Sequence, residues 1–104
     1  MEKRLLEDIV DKIVAGVSPE KVILFGSHAY GDANEDSDID LLVVWETPLV
    51  GAERIRHISR LLAPRPAPID IVVRTPAEIQ RAASRVEPFL TEILSKGVVA
   101  YERR

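Results

Sequence analysis

The sequence contains no cysteine, which excludes disulfide bridges, thiolate metal sites and a cysteine nucleophile. That absence accords with a cytoplasmic location. No apolar run approaches the roughly eighteen residues that a transmembrane helix needs, so no membrane partner is expected. The opening Met1-Glu-Lys-Arg-Leu-Leu-Glu-Asp reads as an amphipathic helix rather than a secretory leader. Aromatic residues make up only 5% and the net charge is −3, with no basic block. Broad nucleic-acid binding through phosphate neutralisation is therefore not expected. What is present is an ordinary globular composition, 46% apolar and 30% charged over 104 residues. It predicts a single domain, residues 1–104, with enough chain to bury a core. Basic residues gather locally at Arg54, Arg56, His57 and Arg60, and again at Arg103 and Arg104. They read as a solvated helix face and a frayed tail, the alternative being a surface for a phosphate or an acidic partner.

Hydrophobic spacing predicts alternating elements. Leu5, Leu6, Ile9, Val10, Ile13 and Val14 make one stripe of a helix over about 3–15, closed by Gly16. Lys21–Phe25 reads as a buried strand, Gly26-Ser27 as a turn into a short helix, and 31–37 as a polar loop. A second strand is expected over 38–45. A helix follows from about Val50 to Leu62, with Ile55, Ile58, Leu61 and Leu62 as its apolar side. Pro64, Pro66 and Pro68 make a stiff, non-helical connector into a third strand, Ile69–Val73. Thr75-Pro-Ala-Glu78 starts a helix, with Thr75 as N-cap and Glu78 closing a capping box. A last helix carries Val86, Phe89, Leu90, Ile93 and Leu94, stops at Gly97 and releases a short strand, Val98–Tyr101. The predicted fold class is mixed α/β (α+β), a small sheet of about four strands covered by helices.

Three aspartates stand out because aspartate is a poor strand residue and is rarely buried unpaired. Asp38 and Asp40 open the apolar run Leu41–Val44, and strand alternation puts both on one side with Ile39 and Leu41 facing the core. Asp70 sits alone in Ile69–Val73. If the two strands are neighbours, three carboxylates converge and repel each other unless a cation lies between them. Magnesium suits such hard oxygen donors and keeps substrate phosphates in its shell. A triad of this kind can hold two metals roughly 4 Å apart for in-line displacement at phosphorus, with Asp70 placed to help deprotonate the nucleophile. Gly26-Ser27, between a strand and a helical turn, permits close backbone approach and offers free N–H groups and a hydroxyl to a phosphate. It is not a P-loop, because the Gly-Lys-Ser/Thr ending is absent.

Gly26-Ser27, ten intervening residues and Asp38-Ile39-Asp40, with Asp70 on a later strand, resemble the signature of the nucleotidyltransferase superfamily that includes DNA polymerase beta. The longer pattern with Ala29, Gly31 and Ser37 matches too, as does the apolar tail Leu41–Val44. The resemblance spans about residues 20–75 and implies a polymerase beta-like core. It implies that Asp38, Asp40 and Asp70 are the catalytic metal ligands and that Gly26, Ser27 and Ser37 bind the nucleotide. Many relatives carry arginine between the Gly-Ser pair and the second glycine; His28 and Tyr30 stand there in this chain. Histidine brings positive charge only when protonated, and Tyr30 is expected to pack, the alternative being to stack or hydrogen-bond near the ligand.

The short chain resembles the minimal nucleotidyltransferases that act as antitoxins in HEPN–MNT pairs. That resemblance implies a hetero-oligomer with a cognate HEPN RNase toxin and transfer of AMP from ATP to a tyrosine of that toxin. The partner would supply the acceptor site for which 104 residues leave no room. Two alternatives remain open. One is a non-catalytic module that neutralises its partner by contact. The other is a small-molecule (aminoglycoside-like) nucleotidyltransferase using a separate acceptor-binding subunit.

Overall fold

The computed structural model describes residues 2–34, 36–85 and 87–104. Their element order is α1 (Lys3–Val17), β1 (Lys21–Phe25), α2 (Ser27–Tyr30), β2 (Ile39–Val44), α3 (Ala52–Leu61), β3 (Ile69–Arg74), α4 (Pro76–Ser84), α5 (Pro88–Lys96) and β4 (Val98–Glu102). The four strands form one mixed sheet in the order β3-β2-β1-β4. β1 runs antiparallel to β2 and β4, while β2 and β3 are parallel. A parallel pair needs a crossover, and α3 provides it. No helix of the described residues is long and apolar enough to cross a membrane.

Alternation along the strands divides the core in two. Ile39, Leu41 and Val43 of β2, with Ile69, Ile71 and Val73 of β3, face α1 and α3 in one buried cluster with Ile9, Ile13, Ile58 and Leu62. Leu42 and Val44 face the opposite way and join Ile23, Ala82, Leu90 and Ile93 under α4 and α5. Each fully buried aliphatic chain contributes about 1.5–3 kcal/mol, so both layers support the sheet.

Several boundaries differ from the expected ones for physical reasons. Gly16 does not end α1; the helix runs on to Val17 and closes at Ser18, which takes the left-handed conformation at φ 47°. The missing side chain at Gly16 instead lets Leu61 of α3 lie against the α1 backbone, where a Cβ would collide with it. Ile55 lies at the margin of the α3 apolar side and is 41% exposed, while Ile58 and Leu62 are buried. In α5, Leu90 and Ile93 are buried but the flanking Phe89 and Leu94 are partly exposed. Val86 lies outside the described residues.

The Thr75 capping box forms as expected: Thr75 Oγ1 accepts from the Glu78 N–H at 3.2 Å, and Glu78 Oε1 accepts from the Thr75 N–H at 2.8 Å. The same Glu78 oxygen accepts from Arg54 Nη1 at 2.7 Å, and Arg54 Nε donates to the Leu49 carbonyl at 2.6 Å. Arg54 is therefore a structural tie between α3 and α4 rather than part of a solvated face. His57 lies against Trp45, ring centroids 5.2 Å apart, and Arg56 and Arg60 remain exposed.

Candidate active site

The site forms where the α4–α5 layer stops. Asp40 lies on the same side of β2 as Leu42, and Asp70 on the same side of β3 as Val72, so both carboxylates occupy that face of the sheet. The parallel register sets Asp40 directly beside Asp70. On its other flank Asp40 pairs with Phe25, the last residue of β1. Asp38 is exposed and lies just before β2. Partial burial pushes the Asp40 carboxyl above its ordinary value of 3.8, the charges of Asp70 and Asp38 push it further, and His28 opposes them.

Gly26 sits over this group. Its φ of 72° and ψ of −159° belong to a region that only glycine occupies readily. A Cβ there would also run into Asp40 Oδ2. The turn can therefore cross the carboxylate only because residue 26 has no side chain. Immediately afterwards α2 opens, and its first backbone N–H groups have no intrahelical acceptor. Gly31, at φ 86°, closes the turn with its N–H on the Ser27 carbonyl. Tyr30, at the end of this short helix, is 39% exposed and so only partly packed.

Ser37 serves the loop in this structure. Its hydroxyl accepts from the Asn34 N–H at 2.9 Å, and its own N–H donates to the Asn34 carbonyl at 3.1 Å. The Asp36 N–H donates to Asn34 Oδ1 at 2.8 Å. The Ser37 carbonyl accepts from His28 Nε2 at 3.0 Å. This histidine contact has no spacing signal in the sequence, and neither does the Arg54–Glu78 tie.

The donor set suits a hard divalent cation. Three carboxylates lie close enough for two of them to raise the pKa of the third, which is the repulsion that a cation relieves. Among the described residues, no group of three His, Cys, Asp or Glu side chains already closes around one point. A cavity of about 370 Å³ lies further along the free edge of β3, lined by Arg54, Val72, Arg74, Glu78 and Phe89 among others. Its lining mixes charged and apolar side chains and on β3 begins at Ile71, the residue after Asp70.

Residues 3–97 match the family model described as a nucleotidyltransferase domain. The fold is similar to that of a Sulfolobus solfataricus protein assigned to the nucleotidyltransferases: TM-score 0.68, 25% identity, 96% of this chain and 79% of that one. It is also similar to a chain from a toxin–antitoxin structure with AMP-PNP, with TM-score 0.63, 20% identity and 94% and 74% of the two chains. A mutant of the toxin–antitoxin MntA-HpeT gives TM-score 0.64 at 15% identity, covering 95% and 74%. Among curated proteins, none matches the chain.

Proposed function

Because this chain belongs to the nucleotidyltransferase domain family, we propose that it transfers AMP from ATP to a tyrosine of a cognate HEPN-type toxin and thereby acts as its antitoxin. The observation that carries the reading is the register of Asp40 beside Asp70, with Gly26 passing over the Asp40 carboxylate. The shared fold with chains from toxin–antitoxin structures, one of them with AMP-PNP, supports the choice of partner and nucleotide.

In this reading Asp38, Asp40 and Asp70 are the catalytic residues and hold magnesium at a two-metal site. Bound there, the metal would supply charge neutralisation for the triphosphate and a lowered pKa for the attacking hydroxyl. The Gly26–Ser27 turn takes the triphosphate on its free N–H groups and the Ser27 hydroxyl, with Ser37 at the end of the same loop. The tyrosine oxygen forms a bond to the α-phosphorus, the bond to the bridging oxygen breaks, and pyrophosphate leaves. Asp70, at the exposed edge of the group, accepts the phenolic proton.

The test combines the protein, labelled ATP, magnesium and the product of the neighbouring gene, beside an Asp38→Ala/Asp40→Ala variant. Label on the partner that disappears with the variant is the expected result. Neutralisation of the partner without transfer would establish the contact-only module instead. Label on a small-molecule acceptor alone would establish the other alternative.

A further inference from the structure

We infer that His28 is a positioning residue that fixes the spacing between the Gly26–Ser27 turn and Asp38. The β1–β2 ladder ends at the Phe25–Asp40 pair, so Asp38 lies outside it, and the loop that leads to Asp38 begins with the Asp32 N–H on the Ser27 carbonyl at 3.0 Å. Residues 31–34 and 36 are exposed, so among the described residues no buried apolar contact anchors the loop between α2 and β2. The end of the loop is shaped from within by Asn34, through the Ser37 hydroxyl, the Ser37 N–H and the Asp36 N–H. Those bonds give the turn a form but do not tie it to anything else. Among the described residues, the side-chain hydrogen bond that reaches from α2 to the end of this loop is His28 Nε2 to the Ser37 carbonyl, at 3.0 Å. Ser37 is the residue before Asp38, and His28 is the residue after Ser27. The bond therefore links the residue after the Gly26–Ser27 pair to the residue before the first carboxylate.

The chemistry of the contact decides what kind of side chain it needs. A carbonyl oxygen only accepts, so Nε2 must carry hydrogen, whether the ring is neutral or charged. The latch thus asks for an N–H at that point in space and not for a positive charge. Glutamine can set its amide nitrogen near the same place, whereas alanine cannot. The ring is half-buried and its charge acts on Asp40, so the contact lies beside the site. Outer-shell groups that orient a metal's ligands typically change its affinity by about 10–100-fold when removed, and His28, one residue further out, is expected at the lower end.

The experiment uses the full chain with Mn²⁺ as probe and without nucleotide. In wild type, His28→Gln and His28→Ala, bound metal is counted by electron paramagnetic resonance. The order of residues 36–38 is followed by ¹⁵N heteronuclear relaxation, and folding by the melting temperature. Expected are a Mn²⁺ affinity about tenfold weaker in His28→Ala, recovery to within about threefold in His28→Gln, and loop order that falls and recovers in parallel at an unchanged melting temperature. Unchanged loop order in His28→Ala overturns the inference, as does a glutamine variant as disordered as the alanine one. The inference rests on the proposed function only for its consequence at the metal. Failure of the wild type to bind Mn²⁺ would overturn the metal reading of the aspartates, whereas the relaxation data judge the latch by itself.

Discussion

The two faces of the sheet divide the work of the molecule. Toward α1 and α3 every described residue of β2 and β3 on that side is apolar and buried, from Ile39 to Val43 and from Ile69 to Val73. Toward α4 and α5 the apolar cover reaches Leu42 and Val44 but stops short of Asp40 and Asp70. The same strands therefore carry a complete core on one side and an incomplete one on the other, and the incompleteness is where charge collects. Stability and reactivity are separated by a single step of strand alternation.

That division can be broken most severely from the covered face. Leu41→Ala is expected to lose about 2–5 kcal/mol of stability, read by urea unfolding, while transfer per folded molecule persists. Asp40→Asn, one residue away on the other face, should do the reverse. Transfer should fall on the order of 10²–10³-fold, while the melting temperature holds or rises, because a repelled carboxylate is gone. Magnesium should raise the melting temperature of the wild type by linkage and leave that of Asp40→Asn unmoved. A smaller effect sharpens the boundary between covered and open parts of the second face: Thr75→Ala removes a cap and should cost about 1 kcal/mol with transfer unaffected.

The smallest effects are slopes against pH, and they have opposite signs. The Asp40 pKa is raised from 3.8 in the folded protein. Its penalty is present above that raised value and is relieved as pH falls toward 3.8. Glu78 behaves differently: partial burial works against its carboxylate, yet hydrogen bonds from Arg54 and Thr75 hold its pKa below the ordinary 4.5. Its contribution is present above 4.5 and is lost as pH falls through the lower folded value. Urea titrations in the metal-free protein should show a gain on mild acidification that Asp40→Asn abolishes. Stronger acidification should bring a loss that Glu78→Gln abolishes.

Most of the fold was legible because its signals are local. The apolar stripe of α1, the capping box at Thr75 and the apolar runs of the three longer-spaced strands follow from residue period and cap chemistry alone. The three aspartates were legible as anomalies within such runs, and the resemblance to the nucleotidyltransferases named their neighbours. What the sequence did not disclose depends on contacts between distant segments. Gly16 looked like a stop, yet it is the place where Leu61 comes close. Arg54 looked like part of a basic surface, yet it meets Glu78 across twenty-four residues. His28 looked like a substitute for a charge, and its bond to Ser37 depends on how the loop returns.

The parallel pairing of β2 and β3 bears on the order in which the molecule becomes competent. Asp38 and Asp40 are neighbours in any conformation, but Asp70 lies thirty residues further on and joins them only after α3 has crossed over. Closing that long segment is among the slower events available to a small domain. Asp70 therefore joins the other two carboxylates late, when β3 pairs with β2. The proposed ligand set is thus complete only once β2 and β3 have paired.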